Sequence, residues 1–200
     1  MPAASQEEKR RQILDAAVRA FARKGYHACR VGEIAEEAGV AYGLVYHYFD
    51  SKEEVLETIF RDTWAQMLAR VQEVQEEGGP AREQVRKVTA LLLRTWRRDP
   101  ELVRVLVHEV TRSPEQLPRQ IDEISHAYEA LRSIVAHGQE TGEFRDDLDP
   151  QLAATIFYGA LEEVLTGWVM GQLPDSDEDI AKAEQAVTGL ICDGLANPRN

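Results

Sequence analysis

The sequence predicts an all-α fold. Three observations predict it. Apolar residues recur at helical spacing through most of the 200 residues, no stretch sustains the alternation of a strand, and no Asn-Gly or Asp-Gly turn joins two alternating segments. Hydrophobic residues at 44% and charged residues at 29% give the composition of a globular chain long enough to bury a core. The longest purely apolar run is Ala90–Leu93, far short of a bilayer span, so no membrane partner is expected. The first eleven residues lack the apolar stretch of a secretory signal, and Cys29 and Cys192 read as reduced thiols, so a cytoplasmic location is expected.

Each helix has its own signal. The first starts with Ser5 and Glu8 as a capping box, carries Ile13, Leu14, Ala17, Val18 and Phe21 on one face, and stops at Gly25. A short second helix spans about Gly32–Ala38 and ends at Gly39. A third covers about Tyr42–Tyr48. Ser51, with Glu54, opens a long fourth helix that ends at Gly78-Gly79-Pro80. The fifth, about Ala81–Arg98, is apolar on several sides and so central. Pro100 starts a sixth to about Thr111. A seventh runs about Glu115–Gly138. Asp149-Pro150 opens an eighth to about Met170. The last covers about Glu178–Leu195.

The net charge of −12 is unevenly spread. Residues 1–52 hold eight basic and seven acidic side chains, a net of +1, which leaves −13 for the rest. A near-neutral head on an acidic body leaves room for a local basic face. The first fifty residues read as helix, short helix, glycine turn, short helix, which is a helix-turn-helix pattern. The third helix is too short to bury Tyr42, Leu44, Tyr46, His47 and Tyr48 together, and exposed hydroxyls and ring nitrogens suit phosphates and base edges. Packing of these rings between helices is the structural alternative.

The segment Ile34–Glu54, with Ile13-Leu14-Asp15-Ala16-Ala17, Phe21 and Gly25-Tyr26, resembles the signature of TetR-family transcriptional regulators. The resemblance implies a nine-helix homodimer, with residues 1–52 as a helix-turn-helix DNA-binding domain and residues 53–200 as a ligand-binding and dimerisation domain. Carried over by position, it implies that Tyr42, Gly43 and Leu44 face base edges or phosphate. Tyr46 and His47 face the groove, Tyr48 and Lys52 hold phosphates, and Gly32 and Glu33 approach the backbone. Arg30, with Lys9-Arg10-Arg11, adds phosphate contacts. The sequence departs from the family at Leu44, where Thr is usual, at the order His47-Tyr48, at Asp50, and at Arg30-Val31, where a Ser/Thr cap is usual.

Thr141-Gly142-Glu143-Phe144-Arg145, Phe157-Tyr158-Gly159 and Glu162–Met170 resemble the branch of that family that senses fatty acyl-CoA. This implies a repressor of fatty-acid metabolism genes that leaves its operator DNA when long-chain acyl-CoA binds as effector, with no cofactor or metal. Leu92, Trp96, Tyr128, Leu131, Phe157, Tyr158 and Leu161 are candidates to line an acyl tunnel, and Arg104 and Arg112 to meet the CoA phosphates, as is Arg119. His108 and Glu109 are a buried-polar candidate pair. Ile156, Leu161, Leu165, Trp168, Val187, Leu190 and Ile191, with small residues such as Gly159 and Gly167, suggest an intersubunit bundle of the last two helices. No nucleophile–base pair, metal-ligand spacing or phosphate loop points to an enzyme. Two other readings remain open: a repressor of the same fold sensing a drug-like hydrophobe, and a helical lipid-carrier module without DNA binding.

Overall fold

Helical periodicity becomes nine α-helices among the described residues of the computed structural model, which places the backbone of residues 3–110 and 121–197 and the side chains of residues 5–108 and 125–197. They are α1 (Ala3–Lys24), α2 (Val31–Glu37), α3 (Tyr42–Tyr48), α4 (Lys52–Glu77), α5 (Ala81–Arg98), α6 (Pro100–Val105), α7 (Ile121–Glu140), α8 (Pro150–Val169) and α9 (Asp177–Leu195). A π-helical turn, Leu106–Val110, extends α6. The expected start of the seventh helix at Glu115 lies outside the described residues.

Most boundaries follow from their caps. Asp149 accepts the Leu152 amide at 2.8 Å, with Pro150 at the first helical position. Gly39 turns the chain between α2 and α3 at φ +63°, a conformation that costs a side chain with a Cβ. One expectation is corrected. Ser5 does not cap α1, because the helix begins two residues earlier at Ala3. Ala3 and Ala4 are the best helix formers available and extend it. At α4, Ser51 Oγ accepts the Glu54 amide at 3.1 Å, but the Glu54 carboxylate accepts from the Asp50 amide at 2.5 Å, one residue off a closed capping box.

The chain forms two compact units. The first runs to Trp64 and includes the segment that begins at Glu101. Its core gathers Ile13, Ala17 and Phe21 of α1, Ile34 of α2, Val45 of α3, Phe49, and Val55, Leu56 and Ile59 of α4. Polar latches fix the three short elements around it. Gln12 donates to the Ala38 carbonyl at 2.6 Å, Arg19 and Arg23 pair with Glu37 at 2.8 and 2.9 Å, and the Tyr26 hydroxyl donates to Glu53 at 2.9 Å.

The second unit holds Ala65–Pro100 and the chain from α7 onward. α5 is central, as its all-round apolar sequence requires: Val85, Val88, Thr89 and Leu93 are fully enclosed. Trp96 stacks on Trp168 with centroids 6.4 Å apart, and its indole N–H donates to Asp175 at 3.1 Å. After α7 the chain makes a tight clamp. The Phe144 ring is buried against Gly138, where a Cβ would lie 2.3 Å from the ring. Glu143 accepts from the Ala81 and Arg82 amides at 2.9 and 2.5 Å, so it caps α5 from a distance. Arg145 and Asn197 then tie the end of α9 to the same loop, with Arg145 donating its amide to the Leu195 carbonyl at 2.8 Å and Asn197 its amide to the Glu143 carbonyl at 3.3 Å.

Candidate functional site

α2, the glycine turn and α3 form the helix-turn-helix. α3 is anchored through one side, where Val45 is buried and Tyr48 packs half-buried on the first unit's core. The opposite side is open. Tyr42 is 57% exposed and Tyr46 44% exposed, and the two share an edge-on ring contact at 5.2 Å and a hydroxyl–hydroxyl bond at 3.3 Å. That bond holds the Tyr46 hydroxyl's pKa above its ordinary value. His47 is exposed beside them, and Gly43 has open space where a Cβ would stand. Leu44 is half-buried at the edge of this face. Gly32, at the start of α2, lies against the Tyr42 ring, with a Cβ there 3.8 Å from it.

The charged candidates divide. Arg30 is exposed as the N-cap of α2. Its own side chain has no acceptor to cap the helix, and Glu33 accepts the Arg30 amide at 2.8 Å. Glu33 also pairs with Lys24. The Lys24 hydrogen bond, then the Arg30 amide, lower its pKa from the ordinary carboxylate value. Glu33 is therefore part of the helix start, and its own amide, which a Ser or Thr side chain would accept, donates to the Arg30 carbonyl at 2.9 Å. Lys52 is similarly engaged: its ammonium donates to the carbonyls of Tyr26 at 2.7 Å, Cys29 at 3.0 Å and His27 at 3.4 Å, and sits 4.3 Å from the Tyr26 ring centroid. A cation at the positive end of α4 makes sense because it collects carbonyls of the α1–α2 connection. Of the amino-terminal bases, Arg10 pairs with Asp62 at 3.3 Å and Glu7 at 3.6 Å, Lys9 donates to Gln12 at 2.8 Å, and Arg11 is exposed.

The candidates for the acyl tunnel lie in the second unit. Leu131, Phe157 and Leu161 are buried, and Leu92 is half-buried. The Tyr128 and Tyr158 rings meet at 5.0 Å. Burial, then the nearby Glu162, raises both hydroxyl pKa values. Arg104 and His108 belong to the first unit, and both are exposed. The expectation of a buried His108–Glu109 pair is thereby corrected at His108, because Val103, Val105 and Val107 take the inward positions of this turn. The Glu109 side chain, and Arg112 and Arg119 entirely, lie outside the described residues.

The bundle residues also divide. Leu161, Trp168 and Val187 are buried within the chain, and Gly167 makes room for Leu173, whose Cδ1 would lie 2.7 Å from a Cβ. These four serve the protomer's own packing. Leu152 and Ile156 on α8 are each 57% exposed, and Leu190 on α9 is 78% exposed, with open space at Gly159, Gly189 and Gly194.

Sequence reasoning missed a cleft of about 800 Å³ between α4, α5 and α9, walled by Arg70, Arg86, Lys87, Arg94, Arg97 and Arg98. The signal is the run of bases along α5, with Arg86, Lys87, Arg94, Arg97 and Arg98. Among the described residues no group of three or more His, Cys, Asp or Glu side chains is placed to hold a metal, and no helix is long and apolar enough to cross a membrane.

Comparison with known proteins agrees with this architecture from end to end. Residues 13–59 match the family described as bacterial regulatory proteins, tetR family, and residues 60–194 match the YsiA-like protein, C-terminal region. The fatty acid metabolism regulator protein of Bacillus subtilis is 34% identical, over 93% of this chain and 95% of that protein. The fatty acid degradation regulator FadR of Bacillus halodurans superposes with a TM-score of 0.85 at 31% identity, covering 94% of this chain and 96% of that one. The transcriptional regulator FadR of Bacillus subtilis, solved in complex with stearoyl-CoA, superposes with a TM-score of 0.83 at 30% identity, over 92% and 98% of the two chains.

Proposed function

We propose a function from a secure premise: the chain belongs to the tetR family of bacterial regulatory proteins. It is a transcriptional repressor that binds operator DNA as a homodimer and is released by long-chain acyl-CoA, so that it controls fatty-acid metabolism genes in the cytoplasm. The observation that carries the effector class is the end-to-end likeness to a fatty acid metabolism regulator and to a regulator crystallised with stearoyl-CoA.

The open face of α3 is the DNA-reading surface. Tyr42, Tyr46 and His47 offer donors and rings to phosphates and base edges, Gly43 admits close approach, and Arg30 and Gly32 stand beside the backbone. Leu44 brings an apolar contact, suited to a thymine methyl. Two such faces must meet successive major grooves about 34 Å apart, which requires a dimer. The exposed Leu152, Ile156 and Leu190 suit the pairing of α8 and α9 with a second copy.

Residues 53–200 take the effector and make the dimer; residues 1–52 read the DNA. Each buried methylene of an acyl chain contributes about 0.8 kcal/mol, and Leu92, Tyr128, Leu131, Phe157, Tyr158 and Leu161 supply apolar surface for it. Release follows only if the effector prefers the form that does not bind DNA. Coupling of about 1–3 kcal/mol is typical. The test is operator binding by the purified protein on its own upstream DNA, titrated with acyl-CoAs of increasing length and with free fatty acids. Long-chain acyl-CoA is expected to release the DNA and free acids are not. Equal acyl-CoA affinity for free and operator-bound protein would sink the mechanism.

A further inference from the structure

We propose that the cavity of about 420 Å³ between the last turns of α4 and α7 and the first turn of α5 binds a small organic cation, a primary alkylammonium. The cavity lies within the second unit and shares no residue with the apolar set assigned to the acyl chain. It does not rest on the proposed function.

The wall holds acceptors that nothing in the chain uses. Gln84 is 4% exposed, and its side-chain amide donates to the Gly79 carbonyl at 3.1 Å. Gln75 donates in the same way to the Ala130 carbonyl at 3.2 Å. Each bond fixes which end of the amide is nitrogen. Among the described residues neither amide oxygen accepts a hydrogen bond, and Glu140 has no ion pair. A nearly enclosed amide oxygen without a donor destabilises the fold, so it calls for a donor from outside the chain. Water can fill that role, and a ligand must displace it with donors of its own.

The field in the cavity selects a cation. α4 and α7, of 26 and 20 residues, both end here. A helix C-terminus carries about half a negative charge, which Lys or Arg in the last turn commonly offsets. α4 has no basic residue in its last turn, and α7 has only His137. Arg132 is the one full cation in the wall, and two hydrogen bonds spend it on Glu129. Lys87, the nearest base of α5 in sequence, pairs with Glu77 at 2.6 Å. The carbonyls of His137, Gly138 and Gln139 already accept amides of the following loop. The direct contacts therefore fall to Gln75, Gln84 and Glu140.

Size and chemistry narrow the class. A volume of about 420 Å³ suits a small molecule and far exceeds a bare metal ion. Ala136 is the one apolar side chain in the wall, so an acyl chain or an aromatic drug has little to bury against. An ammonium has three N–H donors and no acceptor, which matches two amide oxygens and one carboxylate. The Ser133 hydroxyl and the His137 imidazole remain for a second polar group of the ligand.

The test is titration calorimetry of the full-length protein at about 0.15 M salt, where attraction to distant surface carboxylates is screened. The probes are n-butylammonium, putrescine and tetramethylammonium, the last carrying the charge without an N–H. We expect both primary amines to bind and tetramethylammonium not to bind. Glu140→Gln and Gln75→Leu should each lower the affinity about tenfold, the effect of one hydrogen bond to a charged group. Glu140 is exposed, so its variant probes the site without threatening the fold. Glu178→Gln, which removes an exposed pair with Lys182 on α9, is the control and should bind as the wild type does. The proposal is overturned if neither primary amine binds, if tetramethylammonium binds as tightly, or if Glu140→Gln binds as the wild type does. Equal losses in Glu178→Gln and Glu140→Gln would show attraction to the acidic surface alone and overturn it as well. Operator release by acyl-CoA, measured on the wild type, reports separately on the proposed function.

Discussion

The two units put their polar side chains to different uses. In the first, ion pairs and hydrogen bonds run between short elements: Arg19 and Arg23 to Glu37, Gln12 to the Ala38 carbonyl, Lys52 to three carbonyls of the α1–α2 connection. Helices of seven residues are marginal alone, and these latches fix them so that the Tyr42–Tyr46 face is presented in one orientation. In the second unit, long helices bury apolar faces against α5, and exposed arginines gather in a cleft. The contrast teaches where function can be read. An exposed aromatic cluster on a latched scaffold needs a reason outside the protomer. A buried leucine does not.

The largest expected effect breaks the second unit's link to the first unit's task. Leu190→Asp with Ile156→Asp should leave the protomer folded and make it monomeric in sedimentation. Operator affinity should fall toward the non-specific level, a loss of about a thousandfold or more. Retained dimerisation would place the interface elsewhere. Next comes core truncation, made in parallel. Phe144→Ala and Phe21→Ala should each cost about 3–5 kcal/mol in urea unfolding, since both rings are buried. Hydrogen exchange should separate them, the first loosening the starts of α5 and the end of α9, the second the helix-turn-helix. Equal patterns in both would show one cooperative body in place of two units.

A smaller effect sharpens the role of Lys52. Lys52→Met should reduce stability by about 2 kcal/mol, because three carbonyls lose a charged donor. The slope of operator affinity against salt should stay as it was. A slope lower by about one unit would show instead that Lys52 meets a phosphate. The smallest effect is electrostatic. Hydrogen bonds from Arg19 and then Arg23 hold the Glu37 carboxyl below its ordinary value. A folded-state pKa below the unfolded one contributes stability that is present above the unfolded value, about 4.3, and is lost as pH falls through the folded value. Glu37→Gln should therefore flatten the acid limb of the first unit's stability curve below about pH 4, read by hydrogen exchange at α1 and α2. An unchanged limb would assign the acid sensitivity to Glu33 and Glu53, whose carboxyls are lowered too.

Much of the fold was legible because caps and glycines are local: α3 and α5 fall where the periodicity put them, and Asp149, Gly39 and Gly25 do the work their residue types suggest. The exposed face of α3 was legible for the same reason, since seven residues cannot hide three tyrosines. Lys52 was not, because its partners lie 23 to 26 residues away on a segment with no polar signature. Nor was the division of α8 into buried Leu161 and exposed Ile156, because both sit on an apolar helix whose neighbours only the fold supplies. The Thr141–Arg145 motif, read as a mark of acyl-CoA sensing, serves in the structure as a packing and capping device.

That device bears on the order in which the chain can assemble. The first amides of α5 take their acceptor from Glu143, about sixty residues further along, and the end of α9 returns to the same loop. Closing a loop of that length costs entropy that nothing local repays. Until the loop after α7 has been synthesised, the leading amides of α5 lack the carboxylate that accepts them in the folded chain. A nascent chain stalled before Glu143 would lack both that carboxylate and the Phe144 ring that packs on Gly138, so the start of α5 and the end of α7 are completed by the same late-made loop.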